Sequence, residues 1–115
     1  MARVLLIEDN DDLALLFEVM LEQAGHSVQR ADTLASANEA LATSWPEVVL
    51  SDLRLPDGHA LQWIGEARRA HRGVRFSAMS SSDRTVAQQA TEAGFDRYLD
   101  KGSDLDVIEA FLRQL

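Results

Sequence analysis

The sequence predicts an α/β fold in which five short β-strands alternate with five α-helices around a parallel sheet. Short apolar runs recur along the chain, and each is followed by a segment whose apolar residues repeat at helical spacing. Glycine or proline stands near the end of most helical segments, where it stops the helix before the next strand. The connections are long enough for right-handed crossovers between parallel strands.

The first strand is predicted over Arg3–Glu8 because its apolar run is continuous, as expected for a strand that is buried on both faces. Asn10-Asp11-Asp12 then offers side chains that cap a helix. The helix that follows ends at Gly25 and has an apolar stripe formed by Leu13, Leu16, Phe17, Met20, Leu21 and Ala24. The second strand, Ser27–Ala31, is more polar, which favours a position at the edge of the sheet.

Asp32-Thr33 is expected to cap the second helix, which ends before Pro46. Its inward stripe is formed by Leu34, Ala37 and Leu41. The third strand, Val48–Asp52, is apolar at its start and ends in an acid. The loop Leu53–Gly58 follows, and its Pro56-Asp57-Gly58 sequence is typical of a turn. The third helix has an apolar stripe formed by Leu61, Ile64 and Ala67.

The fourth strand is predicted over Val74–Ser80 and leads into a polar loop and helix cap, Ser81-Ser82-Asp83. The fourth helix, Arg84–Ala93, has mostly alanine on its inner face, with Val86 as its one large apolar anchor. It should therefore bury little apolar area and shift at low cost. The fifth strand is Arg97–Asp100. The last helix has an apolar stripe formed by Leu105, Ile108, Leu112 and Leu115.

Composition and charge exclude several classes of function. The 115 residues suit one domain, residues 1–115, with a core of its own. The absence of cysteine excludes disulfides, thiolate metal sites and a cysteine nucleophile. A formal net charge of −8 argues against nucleic-acid binding by this domain. No apolar stretch approaches membrane-spanning length, and the segment before Val4 is too short for a signal peptide. A cytoplasmic protein is expected.

Charged residues follow three of the predicted strands. Glu8-Asp9 ends the first strand, Asp52 ends the third, and Lys101 follows the fifth. The carboxyl ends of parallel strands meet at one edge of the sheet, where ligands of open α/β proteins bind. A flavodoxin-like, doubly wound strand order 2-1-3-4-5 would make the first and third strands neighbours. Because three adjacent carboxylates repel one another, a divalent cation is expected among them.

Several short motifs occur in a characteristic order along the chain. They are Leu6-Ile7-Glu8-Asp9, Ser51-Asp52-Leu53-Arg54-Leu55-Pro56-Asp57-Gly58, Ser80 at a strand end, Ala93-Gly94 and Tyr98-Leu99-Asp100-Lys101. In this order and spacing the chain resembles the receiver domain of two-component response regulators along essentially its whole length. The resemblance implies a phosphoacceptor that assists its own phosphorylation and dephosphorylation and is not otherwise an enzyme.

The resemblance implies that Asp52 is the phosphoacceptor and receives a phosphoryl group from a histidine kinase or a phosphotransfer protein. The implied Mg²⁺ ligands are Asp9, Asp52, Glu8 through water, and the backbone carbonyl of Arg54. Elementary chemistry agrees with both roles. A carboxylate can act as a nucleophile and form an acyl phosphate. Magnesium keeps several waters and binds one or two carboxylates directly, which suits this sparse set of ligands.

Three further roles follow from the same resemblance. Lys101 supplies a positive charge to the phosphoryl oxygens, and the hydroxyl of Ser80 donates to another of them. Tyr98 corresponds to the aromatic residue that moves inward when Ser80 engages the phosphoryl group; a half-buried tyrosine with a hydrated hydroxyl is the alternative. Phosphorylation would switch the face formed by the fourth helix, fifth strand and fifth helix for an output partner or domain. Val107 and Phe111 either belong to that face or, as we favour, flank the core.

Two other functions stay open. A phosphohydrolase of the haloacid dehalogenase type would also use Asp52 as a nucleophile, but it needs a second acid where Arg54 stands. A receiver that binds partners without phosphorylation is disfavoured because the acids and Lys101 are all present. The chain departs from the family pattern at Gly102, where the usual proline and its cis peptide are missing. It also departs in the segment from Ser80 to Gly94, which is one residue shorter than in the common pattern of the family.

The remaining polar and aromatic residues carry no clear signal of chemistry. The histidines His26, His59 and His71 lack metal-binding spacing and are expected to be exposed to solvent. Trp45 and Trp63 are predicted to be packing residues, not platforms for a ligand.

Overall fold

Five parallel strands form the central sheet in a computed structural model that describes residues 1–44, 46–81 and 84–115, without the side chain of Arg84. In chain order the strands are β1 (Arg3–Ile7), β2 (Ser27–Ala31), β3 (Val48–Asp52), β4 (Arg54–Leu55), β5 (Gly58–His59), β6 (Arg75–Ser80) and β7 (Arg97–Asp100). The helices are α1 (Asp11–Gln23), α2 (Leu34–Ser44), α3 (Ala60–Ala70), α4 (Arg84–Ala93) and α5 (Leu105–Arg113). The predictions for Trp45 and for Ser82-Asp83 lie outside the described residues.

The strand order in the sheet is β2-β1-β3-β6-β7, and all neighbouring pairs are parallel. This is the predicted order 2-1-3-4-5, because β4 and β5 form a separate antiparallel hairpin. β2 lies at an edge, as its polar composition predicts. The register pairs Ile7 with Ser51 and Ser80 with Asp100, so the carboxyl ends of the strands share one edge of the sheet. The fold prediction is confirmed.

Alternate residues of the strands point to opposite faces of the sheet, and each face has its own buried apolar cluster. One cluster joins the strands to α2, α3 and α4 and includes Leu5, Ile7, Val49, Phe76, Leu41, Ile64 and Ala90. The other joins them to α1 and α5 and includes Leu6, Leu50, Met79, Leu99, Phe17, Leu21 and Leu112. Because helices cover both faces, the ends of the strands are left as the place for a polar site.

The buried stripe of α1 is narrower than the sequence predicts. Its buried residues are Ala14, Phe17, Met20 and Leu21. Leu16 is 50% exposed, so its predicted inward position is wrong. It lies about 100° around the helix axis from Phe17, and Ala14 packs against the sheet instead. Leu15, Leu16 and Val19 therefore form an exposed apolar strip on α1.

The last helix, α5, follows the predicted stripe only in part. Ile108 and Leu112 are buried, but Leu105 is exposed, so its predicted place in the inward stripe is wrong. Val107 is also exposed, and the favoured interpretation of it as core flank is wrong as well. Phe111 is half-buried and packs against the second apolar cluster, with the Arg97 guanidinium 4.3 Å from its ring centroid. Phe111 therefore does flank the core.

Trp63 packs as predicted. Its ring meets that of Phe76 edge to face, with the ring centroids 6.0 Å apart. Its indole Nε1–H donates to Asn38 Oδ1 at 2.8 Å. The tryptophan therefore fixes α3 on the sheet and links α3 to α2, because one side of the ring is apolar and the other offers a hydrogen-bond donor.

His26 is buried, and the prediction that it is exposed is wrong. Its Nδ1 accepts a hydrogen bond from the Ala2 N–H at 3.0 Å, and its Nε2 donates to the Leu112 carbonyl at 2.7 Å. The two bonds together require a neutral ring with its proton on Nε2. His26 thus ties the start of β1 to the last turn of α5, and its burial is tolerated because both ring nitrogens have partners. His59 and His71 are half-buried.

The predicted loop Leu53–Gly58 contains the β4–β5 hairpin, which brings Asp57 to the N-terminus of α2. The N–H groups of Leu34 and Ala35 each donate to one of its carboxylate oxygens, both at 2.9 Å. These two hydrogen bonds lower the pKa of Asp57 below its ordinary value. The predicted local cap is also present at Thr33. The start of α2 is therefore capped both by its own sequence and by a distant turn.

Asp57→Ala is expected to lower the free energy of unfolding by about 1 kcal/mol at neutral pH, because two N–H groups of α2 lose their acceptors. A group whose pKa is lowered in the folded state stabilises the fold above its ordinary pKa. That contribution disappears as the pH falls through the lowered value, so the variant and the wild type should converge in acid. Urea unfolding over a range of pH measures the difference.

Asp32→Ala is the matched control, since Asp32 is an exposed acid beside the same helix start and contacts only the Ser36 hydroxyl at 3.3 Å among its described hydrogen bonds. It should change the stability less than Asp57→Ala does. Equal losses in the two variants would contradict the assignment of the distant cap.

Candidate functional site

Acidic side chains from two neighbouring strands meet at the carboxyl edge of the sheet. Glu8 directly follows β1 and is buried, Asp9 is exposed, and Asp52 at the end of β3 is half-buried. One carboxylate oxygen from each lies within 4.8 Å of the other two. The predicted proximity of the three acids is confirmed, and their roles stay predictions. Clustered carboxylate oxygens are the ligands that Mg²⁺ and Ca²⁺ prefer, so the donor set fits a hard divalent cation.

Lys101 reaches this acidic cluster from the end of β7. Its Nζ lies 2.8 Å from Glu8 Oε1 and 3.1 Å from Asp52 Oδ2. The Lys101 side chain is 12% exposed and that of Glu8 only 1%. Lys101 is also the only lysine among the 11 basic residues of the sequence. The ammonium therefore offsets the mutual repulsion of the carboxylates where little water is present to do so.

Burial and neighbouring charges shift the pKa of both members of this pair. Burial raises the pKa of Glu8 above its ordinary value, and the charge of Asp52 raises it further. The hydrogen bonds that Glu8 accepts from Lys101 and from the Asn10 N–H oppose this rise without cancelling it. Burial alone would lower the pKa of Lys101, but its contacts with Glu8 and Asp52 outweigh burial and raise that pKa. Protons and a cation therefore compete for Glu8, while Lys101 stays charged.

The segment between β1 and α1 is held by backbone and side-chain hydrogen bonds. The Glu8 N–H donates to the Ala31 carbonyl on β2 at 3.0 Å, and the Asn10 N–H donates to Glu8 Oε2 at 3.2 Å. Asn10 Oδ1 accepts from the Leu13 N–H at 3.0 Å, which confirms the predicted cap of α1. Arg30 on β2 also binds this segment, and the sequence carries no signal of it because arginine is ordinary on a polar edge strand.

The other predicted site residues lie at or near this edge. Ser80 ends β6, one residue after Met79, which pairs with Asp52 in the register. The Ser80 carbonyl accepts from the Lys101 N–H at 2.9 Å and from the Tyr98 hydroxyl at 3.4 Å. Tyr98 is half-buried against the first apolar cluster. Arg54 lies two residues beyond Asp52, in β4, and its side chain is exposed.

Gly102 follows Lys101 where the family usually has proline, and a hydrogen bond from its backbone N–H orders the chain there. The Lys101–Gly102 peptide is trans, like the other peptide bonds of the described residues. The Gly102 N–H donates to Asp100 Oδ1 at 2.8 Å, a bond that proline at this position could not make. The departure from the family pattern therefore leaves Lys101 at the acidic cluster.

The geometry leaves open which kind of protein uses the site, and comparison with known families decides it. The sequence profile of the family described as response regulator receiver domain matches residues 4–113. The chain belongs to this family. Membership as a receiver domain argues against the phosphohydrolase of the haloacid dehalogenase type, whose second acid is also missing at Arg54.

This receiver domain is 33% identical to the KDP operon transcriptional regulatory protein KdpE of Escherichia coli, over 98% of this chain and 50% of KdpE. A CheY-like receiver domain from Methylobacillus flagellatus is 28% identical, with a TM-score of 0.85 over 99% of this chain and 98% of that chain. The receiver domain of sensor histidine kinase PA1611 from Pseudomonas aeruginosa, solved with a magnesium ion coordinated in its active site cleft, is 23% identical, with a TM-score of 0.84 over 98% of this chain and 95% of that chain.

The chain spans about half the length of the KdpE relative that it matches. Among the helices that the structure describes, none combines the length and the apolar character that a bilayer crossing requires. The comparisons therefore identify this chain as a receiver domain.

Proposed function

We propose that residues 1–115 form one receiver domain that accepts a phosphoryl group on Asp52 in a Mg²⁺-dependent reaction. The proposed donor is a histidine kinase or a phosphotransfer protein. The observation that carries the proposal is the position of Asp52, with one carboxylate oxygen 3.1 Å from the Lys101 ammonium and within 4.8 Å of the oxygens of Glu8 and Asp9. Positive charge on one side and a place for a cation on the other suit phosphoryl transfer, which depends on positioning and charge neutralisation.

The residues present fit Mg²⁺. Asp9 and Asp52 would hold it directly, and the backbone carbonyl of Arg54 would add a third protein oxygen. Glu8 would act through water, because Lys101 and the Asn10 N–H already engage its two oxygens. When bound, the cation supplies positive charge to the phosphoryl oxygens. The magnesium ion in the active site cleft of the PA1611 receiver supports Mg²⁺ as the cation.

The residues of the chain then have distinct roles in the transfer. A carboxylate oxygen of Asp52 forms a bond to phosphorus while the bond from phosphorus to the donor nitrogen breaks, and the donor imidazole keeps the electron pair and takes up a proton. The Leu53 N–H donates to Asp52 Oδ1 at 2.8 Å and so fixes the carboxylate plane. Lys101 and the hydroxyl of Ser80 stabilise the charge on the phosphoryl oxygens. In this role the domain assists its own phosphorylation and dephosphorylation.

The proposed switch joins Ser80 to the face formed by α4, β7 and α5. A shift of Ser80 towards a phosphoryl group that also moved its backbone would disturb the bond from the Tyr98 hydroxyl to the Ser80 carbonyl. α4 offers little resistance to such a shift, because Ala90 is its buried anchor and Val86 is only half-buried. Exposed Val107 on α5 suits an output partner or domain on this face. We further propose that the domain acts in the cytoplasm and that it binds no membrane and no nucleic acid itself, the latter because its formal net charge is −8.

Incubation with a small phosphodonor tests the phosphoacceptor role without a cognate kinase. One labile phosphoryl group is expected on the intact protein in the presence of Mg²⁺, and none after removal of metal by a chelator, because the carboxylates alone repel an anionic donor. Intact-mass spectrometry measures the adduct. Steady turnover of an unrelated phosphoester would support a hydrolase instead. Absence of both adduct and Mg²⁺ binding would support a receiver that binds partners without phosphorylation.

A further inference from the structure

We propose that Arg30 is a positioning residue for the acidic cluster, acting through the backbone of the segment that carries Glu8 and Asp9. Arg30 lies on the edge strand β2, outside the group of residues proposed to touch the cation or the phosphoryl group. The inference rests on the proposed function in one respect, namely that Mg²⁺ is the cation that the cluster binds.

The guanidinium of Arg30 binds both ends of this segment. Its Nε and Nη2 donate to the backbone carbonyl of Glu8, at 3.0 and 2.9 Å. Its Nη1 lies 2.9 Å from Oδ1 of Asp11, the first residue of α1. The Arg30 side chain is only 25% exposed, whereas that of Asp11 is largely in solvent. The planar guanidinium therefore links the end of β1 to the start of α1. Only arginine can do this, because its N–H donors are held in one rigid plane.

This contact acts on the peptide that leads into Asp9. The Glu8 N–H is already fixed by the Ala31 carbonyl on β2, and Arg30 fixes the Glu8 carbonyl on the other side of the same residue. The backbone orientation at Glu8 sets the direction of the chain at Asp9, which is itself exposed. A ligand that is held before the cation arrives binds it without a further loss of conformational entropy.

The charge of Arg30 and its role in holding the segment predict opposite effects of its removal on the affinity for a cation. As a positive charge near the carboxylates, Arg30 would weaken the binding of a cation, and its removal would strengthen binding. As a clamp on the segment, it would favour binding, and its removal would weaken it. Lysine separates the two effects, since it keeps the charge but cannot donate in parallel to one carbonyl while also pairing with Asp11.

The test is a calorimetric titration with Mg²⁺ alone of the wild type, Arg30→Ala and Arg30→Lys. Both variants are expected to bind Mg²⁺ about 10-fold more weakly than the wild type, the effect typical of residues that orient metal ligands. Arg68→Ala is the matched control, because it also removes a partly exposed arginine paired with an acid, Asp96 at 2.8 Å, but on the last turns of α3. It should leave the affinity within about twofold of wild type, since Asp96 precedes β7 whereas the acidic cluster lies at the opposite, carboxyl end of the strands, and exposed charges that far apart are largely screened.

A second measurement needs no metal. Amide hydrogen exchange at Asn10, whose N–H donates to Glu8 Oε2, should be faster in Arg30→Ala than in the wild type, and unchanged in Arg68→Ala. Unchanged exchange at Asn10, or Mg²⁺ binding by Arg30→Ala as tight as in the wild type, would overturn the positioning role. Failure of the wild type itself to bind Mg²⁺ would count against the proposed function, and the exchange measurement would still decide the role of Arg30.

Discussion

Asp52→Asn is expected to abolish the labile phosphoryl adduct completely. An amide oxygen is a poor nucleophile, so the side chain can no longer form an acyl phosphate. The substitution is nearly isosteric, and the Leu53 N–H can still donate to the amide oxygen, so the fold should survive. Intact-mass spectrometry after incubation with a small phosphodonor and Mg²⁺ measures the loss, and circular dichroism checks the fold.

Asp57→Asn is the matched control for this experiment. Asp57 lies in the turn between β4 and β5, shortly after Asp52, but its carboxylate binds the N–H groups at the start of α2 and not the acidic cluster. This variant should be phosphorylated like the wild type. Retention of the adduct in Asp52→Asn would assign the acceptor to another residue, whereas its loss in both variants would point to a general effect on this segment of the chain.

Lys101→Met is expected to have the largest effect on stability. Glu8 would keep a buried carboxylate after losing the ammonium at 2.8 Å, and breaking a buried pair by removing one partner costs about 3–5 kcal/mol. Because Lys101 is slightly exposed and Glu8 can take up a proton, we expect the lower end of that range at neutral pH. Urea unfolding of the metal-free protein measures the change in the free energy of unfolding.

The pH dependence of this variant follows from the direction of the Glu8 shift. Burial raises the pKa of Glu8, so the folded state holds that proton more tightly than the unfolded state. The resulting stabilisation is complete below the ordinary pKa and is lost as the pH rises through the raised value. Without Lys101 the pKa of Glu8 should rise further, because the hydrogen bond and the charge that oppose the rise are lost. A protonated Glu8 no longer needs the ammonium, so Lys101→Met should lose less of its free energy of unfolding at acidic pH than at neutral pH. In the wild type the raised pKa of Lys101 adds a stabilisation that is lost only in strong alkali.

Added Mg²⁺ gives an independent check on this site. It should stabilise Lys101→Met more than the wild type, because a cation can then take over the neutralisation that the ammonium provides. Lys101→Arg keeps the charge and should resemble the wild type in this respect. An equal effect of Mg²⁺ on Lys101→Met and the wild type would show that Lys101 and the cation do not act on the same carboxylates.

The strands and the edge at which their acids lie could be predicted, because apolar runs define the strands and parallel strands end at one edge of the sheet. The strand order could not be read from periodicity alone; Glu8, Asp9 and Asp52 meet because β1 and β3 are neighbours, as in the flavodoxin-like order that we expected. The exposure of Leu16 could not be predicted, because a helix with apolar residues on several sides fits the sheet in more than one rotation, and packing selects Ala14 and Phe17.

The missed polar contacts share a different cause. Asp57 caps a helix that begins 23 positions before it, and His26 binds a carbonyl 86 positions away. Arg30 reaches Glu8 across the edge of the sheet. Each contact joins a side chain to backbone groups that are distant in sequence, so no local pattern indicates it, whereas a local cap such as Asn10 is predictable from its neighbours.

The single lysine offers a spectroscopic reporter of the site. Because the sequence has no other lysine, isotope labelling of that amino acid alone would place one ε-amino nitrogen in the spectrum, at the position of Lys101. Its exchange with water should be slow, since its contacts with Glu8 and Asp52 shield it from solvent. Magnesium, phosphorylation and protonation of Glu8 each change the charge beside this nitrogen, so one resonance could follow all three in the unmodified protein.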